Sequence, residues 1–171
     1  MFLNIKELEV REVRFDETFE PGQIDFSETG LRQVSGIRAE GVARLLDNTD
    51  GEIRIQGRYS GAMETECDRC LARAAYPLDT TFDLFYRPPP VLTADEIKID
   101  EGEAEIGFYE GLGLELADVI EEQILLAMPM QRICRPDCKG ICPVCGANRN
   151  EMACNCQVKP ADDRWTALKN L

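Results

Sequence analysis

The chain has 171 residues, 44% hydrophobic and 30% charged with no low-complexity tract, which bounds it to one folded domain of ordinary size plus a small appendix. A net charge of −13 argues against a surface that grips phosphates through clustered Lys and Arg, and the complete lack of histidine removes the commonest general base and the mixed Cys/His metal site together. No apolar run approaches a membrane span, and the opening Met1-Phe-Leu-Asn-Ile-Lys lacks a basic stretch followed by a long apolar core. We therefore expect no membrane association and no signal peptide, and a cytoplasmic setting in which thiols stay reduced.

Residues 2–19 alternate in part, through Val10, Val13, Phe15 and Phe19, and favour extended structure. Pro21-Gly22 marks a turn. A strand-like run from Ile37 to Leu46 is closed by Asn48-Thr-Asp-Gly51, residues that tolerate positive φ and so suit a hairpin. Strict alternation follows, with Ile53, Ile55, Gly57 and Tyr59 on one face, and the register runs on through Met63, Thr65 and Cys67. After Cys67-Asp-Arg-Cys70 a second run carries Tyr76, Leu78, Phe82, Leu84 and Tyr86. Ile53 to Tyr86 thus reads as a long antiparallel hairpin with the C-x-x-C at or near its tip.

Pro88-Pro89-Pro90 has no N–H to offer a ladder and ends the strand. Thr93 to Glu110 holds seven acidic residues and one lysine, which predicts a solvated acidic loop with a short strand near Glu105–Phe108. The clearest helix spans 115–128: Leu116, Val119, Ile120, Gln123, Ile124 and Ala127 form one stripe, and acidic residues crowd its first turns. Pro129 ends it. A short terminal helix is expected over 162–171, with Trp165 and Leu168 on one side. These elements predict an α+β fold: a mostly antiparallel β-sheet over 1–87, a long packed helix, and a cysteine-rich zinc-binding C-terminal tail. The expected division is a sheet-plus-helix core over 1–128 and a tail over 129–171.

Six of the eight cysteines lie between Cys134 and Cys156, in the run Cys134-Arg-Pro-Asp-Cys138-Lys-Gly-Ile-Cys142-Pro-Val-Cys145-Gly146 and then Cys154-Asn-Cys156. Two residues between thiolates let both reach one tetrahedral ion, and the glycine after Cys145 frees the turn for N–H···S bonds. A thioredoxin-like dithiol needs its C-x-x-C at a helix N-terminus in a βαβ context, which neither pair has. Metal binding is therefore preferred over free structural thiols or a redox pair. With histidine absent, all eight of Cys67, Cys70, Cys134, Cys138, Cys142, Cys145, Cys154 and Cys156 are candidate ligands for one or two Zn2+ ions. The preferred partition is Cys67, Cys70, Cys134 and Cys138 for one centre, joining the helix end to the hairpin tip, and Cys142, Cys145, Cys154 and Cys156 for the other. A grouping of Cys138 with Cys142 and Cys145, leaving Cys134 or Cys156 free, also satisfies the spacing, as does an iron–sulfur cluster held by four cysteines. A closed set of four thiolates leaves no position for water, so the metal is expected to be structural.

The Cys67-Asp-Arg-Cys70 pair between strand-like runs, Glu121-Glu-Gln-Ile-Leu-Leu-Ala-Met-Pro-Met130, the cysteine run from Cys134 to Cys156 with Lys139-Gly140 and Asn148, and the ending Asp162-Asp-Arg-Trp-Thr-Ala-Leu-Lys-Asn-Leu171 together resemble the YceD family of bacteria and plastids. That resemblance implies a part in the synthesis, processing or stability of 23S rRNA, and hence in ribosome biogenesis. It supplies no reaction. The residues agree: no nucleophile–base pair, phosphate-cradling glycine loop or open metal site is evident, so the expected function is non-enzymatic, with no small-molecule substrate. Residues 1–127 carry a net −16 and residues 128–171 a net +3, so Arg132, Arg135, Lys139 and Arg149 in the tail offer a surface for a partner. The acidic total favours a ribosomal protein or basic assembly factor over naked rRNA, with 23S rRNA or its precursor as the other candidate partner. The competing reading is a thiol redox or metal-buffering protein, and an rRNA-modifying enzyme is a third.

Overall fold

The computed structural model describes residues 1–90 and 106–157. Most of the acidic stretch from Thr93 and the whole terminal helix expected over 162–171 lie outside the described residues. The elements run, in order, β1 (Phe2–Asn4), α1 (Ile5–Leu8), β2 (Val13–Phe19), β3 (Arg32–Gln33), β4 (Ile37–Leu45), β5 (Ile53–Glu66), β6 (Arg73–Arg87), β7 (Ile106–Phe108), β8 (Gly113–Glu115) and α2 (Leu116–Ala127). The extended start expected over 2–19 is interrupted. Asn4 caps a single helical turn, its Oδ1 accepting from Lys6 N at 3.0 Å, and Val10 beyond it is 84% exposed. A capped turn satisfies backbone groups that a lone edge strand would leave open, so the strand begins only at Val13.

Six strands form one sheet in the order β2-β4-β5-β6-β7, with β3 also pairing β5. β2 and β4 pair antiparallel from Val13↔Ala43 to Phe19↔Ile37, and β4 and β5 from Arg38↔Ser60 to Leu45↔Ile53. The connection between β4 and β5 follows the turn chemistry, with Asn48 at φ +59 and Gly51 at φ +87, and Thr49 Oγ1 donating to Leu46 O at 2.8 Å. Arg54 pairs with Asp83 and Arg58 with Asp79, four residues forward on β5 for four back on β6, so these two strands run antiparallel as a long hairpin. Cys67 to Ala72 make its turn. The short strand expected near 105–108 is β7, which lies parallel to β6 with Phe85 opposite Ile106, so the mostly antiparallel sheet is mixed.

Alternation divides the sheet's faces. Phe15, Ile37, Ala39, Ile53, Ile55, Tyr59, Met63, Phe82 and Tyr86 point into the core, while Asp16, Arg38, Arg54, Arg58, Asp79 and Asp83 form exposed ion pairs outside. α2 adds Leu116, Val119, Ile120 and Ile124 to that core, and the Tyr59 hydroxyl donates to Gln123 O at 3.0 Å. The helix expected over 115–128 is twelve residues, three turns of ordinary length rather than a long element, because Met128 already has extended backbone ahead of Pro129. Among the described residues no helix is long and apolar enough to cross a membrane.

The protein divides into two compact units: residues 1–65 with 75–130, and residues 66–74 with 131–171. The first holds the sheet, both helices and the apolar core. The second holds the hairpin turn and every cysteine.

Candidate metal centres

Cys67 and Cys142 open two turns of the same construction. Leu71 N donates to Cys67 O at 2.9 Å, as Gly146 N does to Cys142 O at 2.8 Å. Cys67 N then donates to Ala72 O and Cys142 N to Ala147 O, both at 2.8 Å. The fifth residue is left-handed in each, Leu71 at φ +62 and Gly146 at φ +73. This winding aims the turn's own amides at the first sulfur: those of Arg69 and Cys70 at Cys67, those of Val144 and Cys145 at Cys142. The two C-x-x-C pairs are thus knuckles that present two thiolates and stabilise their charge.

Each knuckle meets a looser pair. Cys67, Cys70, Cys134 and Cys138 bring their sulfurs together within 4.8 Å of one another, with Cys67 to Cys138 at 3.9 Å and Cys70 to Cys134 at 3.7 Å. Cys142, Cys145, Cys154 and Cys156 do the same within 4.8 Å. A tetrahedral ion with metal–sulfur bonds of about 2.3 Å sets its ligands about 3.8 Å apart, so these sulfurs stand where one ion would hold them. Disulfides need about 2.05 Å, and all eight cysteines are free thiols. An iron–sulfur cluster would place an inorganic core between the thiolates and spread them further. The structure therefore assembles two four-cysteine clusters able to hold a metal ion, and it does not group Cys138 with Cys142 and Cys145.

The first cluster is assembled by a two-way clamp. Asp68 N donates to Arg132 O at 2.7 Å, and Arg132 N donates to Asp68 Oδ2 at 2.6 Å. Cys67, Cys70 and Cys138 are buried and Cys134 exposed. In the second cluster Cys142 is buried, Cys154 half-buried, and Cys145 and Cys156 exposed. Burial opposes ionisation of Cys67, but the amides of Cys134, Arg69 and Cys70 outweigh it and bring the thiol down to about 6. Burial and the neighbouring thiols push Cys134 up to about 12. The amides of Cys145 and Val144 lower Cys142 to about 6, and the Cys145 thiol together with burial raises Cys156 to about 12. Four crowded sulfurs cannot all ionise alone, whereas a dication removes the repulsion and lets all four bind as thiolates.

The family described as "Large ribosomal RNA subunit accumulation protein YceD" matches residues 55–171, which takes in both clusters. The chain belongs to the YceD family. Among its relatives, YlbN of Bacillus subtilis is 26% identical over 159 residues, covering 92% of this chain and 86% of that protein. The Zea mays protein named large ribosomal RNA subunit accumulation protein YCED homolog 1, chloroplastic, is 26% identical over 133 residues, 64% of this chain and 45% of its own length. The Arabidopsis thaliana protein of the same name is 25% identical over 142 residues, 70% of this chain and 44% of its own length. The match thus spans less than half of these plant YceD relatives. No solved structure matches the protein.

Three residues of this YceD protein shape the clusters without offering a thiolate, and sequence reading passed over them. Asp68 makes the clamp, Leu71 occupies a left-handed position, and Asn150 donates its Nδ2 to Cys138 Sγ at 3.4 Å. A short polar side chain next to a cysteine in a tight turn is the signal for Asp68; nothing marks Leu71 or Asn150. Because the equivalent place in the second knuckle is glycine, the two positions should respond oppositely. Gly146→Ala is expected to cost about 1–2 kcal/mol, the penalty for a Cβ in left-handed backbone. Leu71→Gly should relieve a similar strain, offset by the extra backbone entropy of glycine, for a net gain within about 1 kcal/mol. Urea unfolding of the whole protein reads both, and equal losses at the two sites would show that the knuckles are not equivalent.

Proposed function

We propose that the protein is a non-enzymatic ribosome-biogenesis factor that supports the synthesis, processing or stability of 23S rRNA, with one structural Zn2+ in each four-thiolate centre. The observation that carries the rRNA part is the family's description, which the plant relatives' names share. Zinc is favoured because it accepts four thiolates in a tetrahedron with no redox demand, and the knuckle amides offset the net negative charge of such a centre. A set of four thiolates has no open coordination position, and the sequence offers no histidine to act as a base, so the metal's work is to hold the second unit's fold.

Arg135, Lys139 and Arg149 are exposed on that unit and Arg132 is half-buried, a modest basic surface in an otherwise acidic protein. With a net charge of −13 overall, a basic ribosomal protein or assembly factor is the preferred direct partner, ahead of 23S rRNA or its precursor, and the cytoplasm or its plastid equivalent is the setting. Depleting the protein is expected to lower 50S particles and 23S rRNA relative to 30S and 16S in gradient sedimentation. Unchanged 50S and 23S levels would overturn the proposal. They would favour metal buffering, to which the exposed Cys145 and Cys156 of the second centre lend themselves.

A further inference from the structure

The loop between Cys145 and Cys154 belongs to the second centre by sequence, yet its Asn150 serves the first. Asn150 Nδ2 donates to Cys138 Sγ at 3.4 Å and to Asn148 Oδ1 at 2.9 Å. Its Oδ1 accepts from Lys139 N at 2.8 Å and from Arg135 Nη2 at 3.0 Å. One side chain thus holds both flanks of the Cys138 turn and places an N–H on its sulfur. The backbone continues the seam. Ile141 N donates to Arg69 O at 2.8 Å, tying the second knuckle to the first, and Arg149 N donates to Gly140 O at 2.9 Å. Every covalent path from Asn150 back to a rigid point runs through the loop that Cys142, Cys145, Cys154 and Cys156 close.

From this geometry we infer that Asn150 is a positioning residue for the first metal centre, and that through it the two centres fill cooperatively. The inference rests on the proposed metal binding and adds to it a direction of influence. Metal in the second centre orders residues 146–153 and so delivers Asn150 to Cys138. By linkage, metal in the first centre raises the affinity of the second by the same factor. Partners that orient metal ligands from outside the coordination sphere commonly change affinity by about 10–100-fold, and a coupling of this size is expected here.

The test is a Co2+ titration of the whole protein, followed by thiolate charge-transfer and d–d absorption and confirmed by competition with a chelator. Cys67→Ser and Cys142→Ser assign the two steps. Asn150→Ala is expected to weaken the first centre by about 10–100-fold and to leave the spectrum of the second unchanged. Asn150→Asp separates positioning from mere support of the loop. It keeps an acceptor for Lys139 N and Arg135, but it replaces the N–H on sulfur with a negative oxygen. The inference expects Asn150→Asp to weaken the first centre at least as much as Asn150→Ala. First-centre affinity within about twofold of the unsubstituted protein in Asn150→Asp overturns it. So does a fall in second-centre affinity when Asn150→Ala is added to Cys67→Ser, because no first-centre metal is coupled to it there and the loss would report general loss of structure. Absence of any tetrahedral thiolate spectrum in the unsubstituted protein would instead sink the metal reading itself.

Discussion

Purified without reconstitution, the protein is expected to carry about two zinc ions per molecule, and Cys67→Ser and Cys142→Ser about one each. A serine hydroxyl stays protonated where a thiolate is needed, so three sulfurs remain and the ion is held poorly. The consequence for folding is large. Structural zinc contributes on the order of 10–16 kcal/mol in small zinc-dependent domains, as much as the whole stability of an ordinary domain. The first centre joins the hairpin turn to the segment after residue 131, which lie 64 residues apart at Cys70 and Cys134, so its loss opens a long loop as well as a metal site. Limited proteolysis of Cys67→Ser should therefore cut between 131 and 141, ahead of the second centre, while the sheet persists, because none of the cysteines belongs to the apolar core cluster.

The surviving centre should still fill in each variant. A loss of about 10–100-fold through the Asn150 seam is small against the affinity of four thiolates for zinc. Metal content unchanged in Cys67→Ser would mean that the first grouping holds no ion. Iron in place of zinc would leave the geometry intact but overturn the identity proposed for the metal.

How the residues foretold this arrangement differs from place to place. Strict alternation from Ile53 to Tyr59 set the buried face of β5 because a strand with one wet face admits one register. Each C-x-x-C was legible as a knuckle because it is a local turn, whereas spacing left open which looser pair each one meets, and the structure brings Cys134 and Cys138 to the first. The stripe on α2 was legible for the same reason, although Ala127 proved exposed and Met128 buried at its end. Longer-range features were not legible. The parallel pairing of β7 with β6 depends on where the backbone returns after residue 87, which no local pattern encodes. Asn150 sits twelve residues from Cys138, and only the folded turn shows that its amide meets that sulfur. Val10 had the alternation of a strand residue, but the cap at Asn4 took the backbone into a helical turn first.

The close approach of neighbours to Gly41 and Gly57 is likewise not encoded locally, and substitution there is expected to have the largest effect on the sheet. They face each other across β4 and β5 at core-facing positions. Phe15 of β2 and Phe82 of β6 lie over them from either side, 5% and 7% exposed. A Cβ at Gly41 would stand 2.6 Å from Phe15 Cζ and inside hard contact of the Gln56 carbonyl oxygen, and one at Gly57 would meet Glu40 O at 2.5 Å and Phe82 Cζ at 2.8 Å. Rings can shift, but a paired backbone carbonyl cannot move without breaking the ladder. Gly41→Ala should therefore cost about 3 kcal/mol or more and Gly57→Ala about 1–3 kcal/mol in urea unfolding, against about 0.5 kcal/mol or less for Ser60→Ala nearby. A double-mutant cycle separates the two obstacles. Phe15→Leu should recover part of the Gly41→Ala loss, with a coupling of about 0.5–3 kcal/mol, and leave the part due to the carbonyl. Strict additivity would show that the ring does not occupy the space the glycine leaves, and that the pair of glycines answers to the backbone alone.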